Sequence, residues 1–496
     1  MKMKKISNWI LVILSLFLLT GVGAFVYNAA NAYKISNDFI SVPLQFNPDD
    51  ASSAYKTENA QITVYGGFVK GLQKGSDGTQ SIVIRALSPL PKIIVKGDAA
   101  TTVSLLIENV NPDFYAASMT ASSLTMTKKT VNSLQVSIAV GDKETISMEP
   151  VQPSSNDSTG KYKYIILGDN RDGYDTFGQI IQQVNGVNPV FVIDNGDLVF
   201  SGKTNQYRLF DQMVSKISVP LFTTLGNHDI RGNGRSTYTM LYGPAYYSFD
   251  FSDSHFVFLD SSPGWSEKRA ISDEQYIWLE NDLKKAQGKR IFVITHIPPK
   301  DPRSGVTINQ IPNYLNEVRS GQNWVEQKLN DYNMSKNMDH GFQDPQEAAK
   351  FETLMSTYHV DTVYLSHIHS YFEYTKDGVR YLISGGAGAE LLTENSYYHY
   401  MIAKMDDGNT TTMVELPSPA NNYITRYAAT AQLFADAMYK ENPVAVVFVV
   451  TGFGLLILAL VINIYLWKKQ SLDTFGKWLW DTGKYAVKRF KELFHK

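Results

Sequence analysis

Cysteine is absent from all 496 residues. That excludes disulfides, thiolate metal sites, a cysteine nucleophile and an N-terminal lipid-bearing cysteine. A net charge of one sign is missing too, because the formal total is only −2. The balance hides an asymmetry. Lys2, Lys4 and Lys5 give the first five residues +3, residues 468–496 carry +5, and residues 6–467 therefore carry −10. An acidic middle between basic ends argues against a polyanion-binding main body, so no nucleic acid is expected as a stable partner. Histidine is scarce at nine residues, and that scarcity makes its placement informative.

Long apolar runs do occur, at both ends. Trp9 to Tyr27 is nineteen residues without a charge behind MKMKK. The apolar part of a signal peptide runs about 7–15 residues, so residues 1–32 read as an uncleaved anchor, with Ala30-Asn31-Ala32 as the alternative cleavage site. Residues 444–467, VAVVFVVTGFGLLILALVINIYLW, form a second run, and about 20 apolar residues suffice to cross the hydrocarbon core. Lys468 and Lys469 follow it at once, which assigns the C-terminus to the cytoplasm, as the N-terminal lysines do for the other end. The expectation is two spans in the cell membrane with everything between them outside the cytoplasm. The tail, 468–496, spaces Phe475, Trp478, Leu479, Tyr485, Phe490 and Leu493 among lysines. It reads as a helix lying on an anionic membrane surface, or else as a solvated or partner helix.

Between the spans the pattern changes twice. Residues 36–152 are rich in Thr, Ser and Val in short alternating runs such as SLQVSIAV (133–140), which read as a β-sandwich-like domain. VQPSSNDSTG (151–160) is a polar linker. From about 160 to 418 apolar runs recur: YIIL, VFVI, LFTTL, FVFL, IFVIT, TVYL and YLIS. Helical stretches separate several of them. SDEQYIWLENDLKK (272–285) opens with a capping box, Ser272 with Gln275. DPQEAAKFETLMSTY (344–358) opens with an N-cap aspartate before a first-turn proline. Strands alternating with helices give an α/β domain. Residues 420–443 read as a helical stalk.

Five of the apolar runs end in chemistry. Asp169 follows YIIL, Asp197 follows VFVI in DNGD, GNHD (226–229) follows LFTTL, His296 follows IFVIT, and SHIHS with His367 and His369 follows TVYL. Each is unremarkable alone. A strand-end Asp is commonly a turn former, and alternate residues of an HxH pair face opposite ways unless the backbone turns. Together they hold four of the nine histidines. In open α/β sheets, ligands bind beyond the carboxyl ends of the strands, so the five motifs can share one site. Carboxylate and imidazole without thiolate suit divalent Mn, Fe, Zn or Co, and one carboxylate can bridge two such ions.

Asp169, GDLV, GNHD, THIPP and SHIHS, in that order, resemble the calcineurin-like metallophosphoesterases over about residues 160–416. YYSFDFSDSHFVFLDS (246–261), EQYIWLENDL and ISGGAGAE (383–390) resemble the purple-acid-phosphatase-like branch. The resemblance implies a four-layer α/β/β/α fold, two divalent metal ions, and hydrolysis of phosphate mono- or diesters by a hydroxide bridging the ions. It implies that Asp197 bridges, that Asp169 and His369 hold one ion, and that Asn227, His296 and His367 hold the other. His228 would protonate the leaving oxygen or steady the phosphoryl group, with Asp229 orienting its ring. Two positions depart from the pattern. Where the family has His or Asn, this chain has Arg171, whose guanidinium stays protonated and has no lone pair for a metal. A cation beside a cationic centre needs an anion, supplied by substrate phosphate or by Asp172, and Arg171 is therefore read as a catalytic and substrate-binding clamp, or else as a structural ion pair. Phe200 stands where an iron-binding tyrosine would be. In the long segment 300–343, Arg303 and His340 are the candidates for touching substrate.

The reading is a membrane-anchored, extracytoplasmic, metal-dependent phosphoric ester hydrolase. Its rivals are a non-catalytic membrane-tethered scaffold on a decayed phosphoesterase fold, and an enzyme for lipid-linked or cell-wall phosphodiesters.

Overall fold

The computed structural model describes residues 39–75, 78–118, 124–150, 161–262, 269–303, 339–391, 397–406, 409–416 and 423–441, with scattered helical positions from 443 to 488. Residues 33–433 form one compact unit, and residues 1–32 with 434–496 form a second. The apolar run at 9–27 and most of 444–467 lie outside the described residues. Among the described residues no helix is long and apolar enough to cross a membrane.

The first part of the larger unit is a two-sheet sandwich. Its strands are β1 (Phe39–Ser41), β2 (Ser52–Lys56), β3 (Ala60–Tyr65), β4 (Gly67–Lys74), β5 (Gln80–Ala86), β6 (Lys92–Gly97), β7 (Thr101–Glu108), β8 (Leu124–Thr130), β9 (Ser133–Val140) and β10 (Thr145–Met148). They pair as β1-β4-β5-β7-β9-β8 and β10-β6-β3-β2. Alternation explains the core: Val103, Leu105 and Ile107 of β7 meet Ile62 and Val64 of β3 and Ile93 and Val95 of β6, all buried.

The second part starts with β11 (Tyr162–Leu167), which leads into helix α1 (Tyr174–Val187). Strands β12 (Val192–Asp194) and β13 (Leu221–Thr223) are separated by α2 (Thr204–Val214) and followed by α3 (Gly234–Leu241). Next come β14 (Tyr247–Phe251), β15 (Ser254–Phe258), α4 (Asp273–Lys285), β16 (Arg290–Ile294), α5 (Pro345–Thr357) and β17 (Thr362–Leu365). The order closes with β18 (Tyr371–Lys376), β19 (Val379–Ser384), β20 (His399–Met405), β21 (Asn409–Glu415) and α6 (Tyr423–Glu441). One sheet runs β13-β12-β11-β20-β21 and the other β14-β15-β16-β17-β19-β18. Both expected helix starts are present: Ser272 Oγ accepts from Gln275 N at 3.3 Å, and the Asp344 carboxylate accepts from Gln346 N at 2.9 Å before Pro345.

Strand β11 shows how the layers arise. Ile165 and Leu167 face α1 and α2, while Tyr164 and Ile166 face the other sheet, against Phe256, Phe292 and Tyr364. Helices α4 and α5 cover the far side of that sheet through Leu279, Leu283 and Phe351. The result is helices, sheet, sheet, helices. The expected stalk is only partly a stalk. Leu433 of α6 is buried in the α1–α2 core, and Arg426 donates to the Gly388 carbonyl at 2.7 Å, because this face of the helix carries apolar residues that the domain can cover.

The sandwich is docked, not tethered. Strand β13 is a sheet edge, and the Asn109 side chain pairs with it as a strand would. Its Oδ1 accepts from Leu221 N at 2.7 Å, and its Nδ2 donates to Leu221 O at 2.9 Å and to Ala86 O at 3.0 Å. Trp278 Nε1 donates to Pro48 O at 3.0 Å, and Phe68 and Leu87 enter the core between the two sheets. Asn109→Ala should therefore cost about 1–3 kcal/mol, the range for leaving a buried polar group unmet. Urea unfolding of the two proteins measures this, and an unchanged midpoint would refute the docking role.

Candidate metal centre

The site sits on the loops that leave β11, β12, β13, β16 and β17. Asp169 lies two residues past β11, and its N–H donates to Gly196 O at 3.0 Å, while Arg171 N donates to Asp197 O at 2.9 Å. These two bonds lace the β11 and β12 loops together. The lacing requires left-handed backbone at Asp169 (φ 59°), Arg171 (φ 37°) and Asp197 (φ 56°), a region that costs most residues roughly 1–2 kcal/mol. His367 has φ 67°, and this is the turn that an HxH pair needs to bring both rings toward one place. Packing is close. A Cβ on Gly226 would lie 2.1 Å from Asp197 N, and one on Gly385 would lie 2.5 Å from Asp169 Oδ2.

Ligand atoms of Asp169, Asp197 and His369, all buried, lie within 4.8 Å of one another. His369 Nε2 is 3.5 Å from Asp169 Oδ1. His296 Nε2 is 3.4 Å from Asp197 Oδ1 and 3.3 Å from Asn227 Oδ1. Its ring is 5.1 Å from that of His367. Backbone carbonyls fix the tautomers. His296 Nδ1 donates to Asn195 O at 2.8 Å and His369 Nδ1 to Glu390 O at 2.5 Å, which leaves each Nε2 as an acceptor, the His369 one taken here by Arg171. Ser366 Oγ donates to Asp169 Oδ2 at 2.7 Å. Asp169 Oδ1 and Asp197 Oδ2 are buried oxygens with no hydrogen-bond partner. Unmet buried carboxylate oxygens are what a divalent cation would satisfy, so Asp169, Asp197 and His369 form a candidate cation-binding group among the described residues.

Four buried carboxylates, Asp169, Asp194, Asp197 and Asp229, crowd this volume. Burial opposes charge on Asp169, but His369, His296 and Arg171 outweigh it and hold the carboxyl below its usual range. Burial is likewise outweighed at Asp197, by His228, His296 and Arg171. Asp194 goes the other way. Burial and the charges of Asp229 and Asp169 push its pKa well up, and it accepts from Asn170 Nδ2 at 2.6 Å.

A family model described as calcineurin-like phosphoesterase matches residues 162–371. Residues 162–371 are thus similar to the calcineurin-like phosphoesterases. It is 30% identical over 116 residues to a probable glycerophosphodiester phosphodiesterase, GpdQ, of Arcobacter nitrofigilis, covering 22% of this chain and 42% of that protein. It is 28% identical over 134 residues to the glycerophosphodiester phosphodiesterase GpdQ of Enterobacter lignolyticus, covering 24% and 46%, and 26% identical over 260 residues to purple acid phosphatase 13 of Arabidopsis thaliana, covering 47% and 39%. The chain thus spans less than half the length of these curated relatives. Among solved structures, the purple acid phosphatase PPD1 of yellow lupin aligns at TM-score 0.41 and 13% identity, over 66% of this chain and 70% of that one.

Within this segment, Arg171 is buried and its guanidinium lies among Asp197, His228 and His369. Nη2 donates to His369 Nε2 at 2.5 Å, Nη1 donates to His228 Nε2 at 3.0 Å, and Nε is 3.6 Å from Asp197 Oδ2. Its further carboxylate neighbour is Glu390, at 3.5 Å, and not Asp172. Phe200, partly exposed, places its ring 5.8 Å from this guanidinium and 5.4 Å from the His228 ring.

Asp229 does not orient the His228 ring. Its carboxylate accepts from Val199 N at 2.9 Å and Gly226 N at 2.8 Å, so it shapes the two loops from below. The preference has a physical reason: the carboxylate is fully buried and backbone N–H groups reach it. Burial and Asp197, against those donors, push it up to about 7. The His228 ring is held by the Phe200 carbonyl, to which Nδ1 donates at 2.6 Å. Burial brings its pKa down to about 4.

Arg303 and His340 do come together. Asp301, buried, takes Arg303 Nη2 at 2.7 Å and the His340 N–H at 3.0 Å, and Arg303 Nη2 donates to His340 Nδ1 at 2.5 Å. The His340 ring lies 5.1 Å from His367, so the pair borders the second ligand group. Sequence reasoning missed Arg231, Glu390 and Ser366. Arg231 lies two residues past GNHD, and Glu390 ends the ISGGAGAE segment, yet neither position announces its contact with Arg171 or His228.

Proposed function

We propose that this protein is a membrane-anchored, extracytoplasmic, two-metal phosphoester hydrolase. The observation that carries the catalytic part is the pair of unpartnered buried oxygens, Asp169 Oδ1 and Asp197 Oδ2, set within reach of His369 and beside the Arg171 fork. When bound, divalent ions held by Asp169, Asp197 and His369 and by Asp197, Asn227, His296 and His367 would supply Lewis-acid charge for the phosphoryl oxygens and a more acidic attacking water. The chain's own groups do the rest. Arg171 presents a planar fork that matches phosphate oxygens in pairs. The Phe200 ring lies 5.8 Å from that guanidinium. His228 stands at the mouth, with its Nδ1 proton fixed by the Phe200 carbonyl and Nε2 facing the arginine.

Membrane anchoring is supported by the two lysine-flanked apolar runs and by the tail, where Trp478, Trp480 and Tyr485 sit exposed on helical residues. An exposed aromatic face among lysines suits a headgroup layer. The test uses the full-length protein in detergent. Metal analysis should return two divalent ions per chain, and a panel of nitrophenyl phosphate esters should be hydrolysed in a chelator-sensitive way. Protease added to intact cells should remove the region between the apolar runs and spare a tag placed after Lys496. Absence of metal and of hydrolysis across the panel would leave the scaffold reading standing in its place.

A further inference from the structure

Two guanidinium groups converge on one nitrogen. Arg171, from the β11 loop, donates to His228 Nε2 at 3.0 Å, and Arg231, from the β13 loop, donates to the same atom at 2.9 Å. Arg231 Nη1 also reaches the Phe200 carbonyl at 3.5 Å. Nε2 is the acceptor of both, because two N–H donors point at it while Nδ1 faces the Phe200 carbonyl. Like charges held at a single lone pair repel. Burial lowers the Arg231 pKa, with the Asp197 charge opposing and the Arg171 charge adding to the shift. Arg171 is buried, whereas Arg231 is half-buried at the mouth beside partly exposed Phe200. The arrangement is therefore graded from the metal ligands outward: the carboxylates, one arginine, then a second arginine.

We propose, building on the hydrolase reading above, that Arg231 is a second phosphate-binding arginine and that with Arg171 it selects phosphomonoesters over phosphodiesters. The chemistry separates the two classes. A monoester phosphate carries close to two negative charges near neutral pH and three unsubstituted oxygens. A diester carries one charge and two such oxygens. An anion that displaces His228 Nε2 as the arginines' partner must offer oxygens to both forks. The monoester has an oxygen left for Arg231 after Arg171 and the metal ligands' side have taken theirs. In the diester that position bears an ester substituent, which leaves Arg231 facing carbon and costs binding.

The experiment compares 4-nitrophenyl phosphate with bis(4-nitrophenyl) phosphate on the full-length protein, the parent beside Arg231→Ala and Arg231→Lys. The parent should favour the monoester in kcat/KM. Arg231→Ala should lower monoester kcat/KM about ten- to a hundredfold, chiefly through KM, as expected for one charge-assisted hydrogen bond, and should leave the diester nearly unchanged. Arg231→Lys, which keeps the charge and loses the fork, should recover part of the loss. Inorganic phosphate binding, read by calorimetry without turnover, should weaken by the same factor. Equal losses on both esters would mark Arg231 as structural and overturn the proposal, as would unchanged phosphate binding. A parent that prefers the diester also overturns it while leaving the hydrolase reading intact. A parent that hydrolyses neither ester, yet binds phosphate through Arg231, removes the hydrolase reading and supports the arginine pair.

Discussion

Asp197→Asn should empty the centre of both metal ions and abolish turnover. Asp197 lies between the two ligand groups. Its Oδ1 is 3.4 Å from His296 Nε2, and its Oδ2, without a hydrogen-bond partner, is 3.6 Å from Arg171 Nε. Asparagine keeps the shape and removes the charge. It also turns one acceptor into a donor, and that donor would face either an imidazole lone pair needed for metal or the Arg171 cation. The backbone gives no separate reason for failure, because asparagine tolerates the left-handed conformation as well as aspartate does. Metal charge at a phosphoryl centre supplies several kcal/mol, and each 1.36 kcal/mol is tenfold in rate, so the loss should be roughly a thousandfold or more. Metal analysis beside circular dichroism checks this. A folded variant that keeps both ions, or that works at near-parental rates, would remove Asp197 from the bridging position.

His228→Ala should do the opposite with metal. Its backbone N–H donates to Asp197 Oδ1 at 2.9 Å, and alanine preserves that bond, so the carboxylate stays placed and both ions should remain. What disappears is the ring that faces Arg171 and Arg231. Burial brings its pKa down to about 4, and its Nε2 accepts from both arginines, so the reacting phosphate must displace that nitrogen before the ring can take part. A positioned acid or base contributes about 10²–10⁴-fold, and kcat should fall in that range with full metal occupancy. Metal loss would instead mean that the ring supports the ligands. A near-normal rate would mean that it does no chemistry.

The strand-end motifs made the convergence of Asp169, Asp197 and His369 readable, because each follows an apolar run, and parallel strands bring such positions to one rim. The layers were readable from β11 alone, whose alternate residues are apolar on both faces. Other features were hidden because they depend on pairs far apart in the chain. Arg171 meets Glu390 across 219 positions, and Asn109 meets Leu221 across 112. Asp229 was misassigned because adjacency to His228 suggested contact, whereas successive residues on a tight turn point apart. The HxH pair was ambiguous for the same reason. Nothing in SHIHS announces the positive φ at His367.

That backbone bears on what kind of chain this is. Aspartate accepts left-handed geometry with little cost, but arginine at 171 and histidine at 367 do not. A sequence under no demand except to keep folding would gain stability by drifting to glycine or asparagine at both places. In a decayed scaffold these would be among the earliest positions to relax, since relaxing them removes strain and buried charge together. The chain places a cation at 171, where the resembled pattern has His or Asn, and an imidazole at 367. Both side chains therefore hold their places at a cost in backbone energy, and both stand against the same buried acidic cluster.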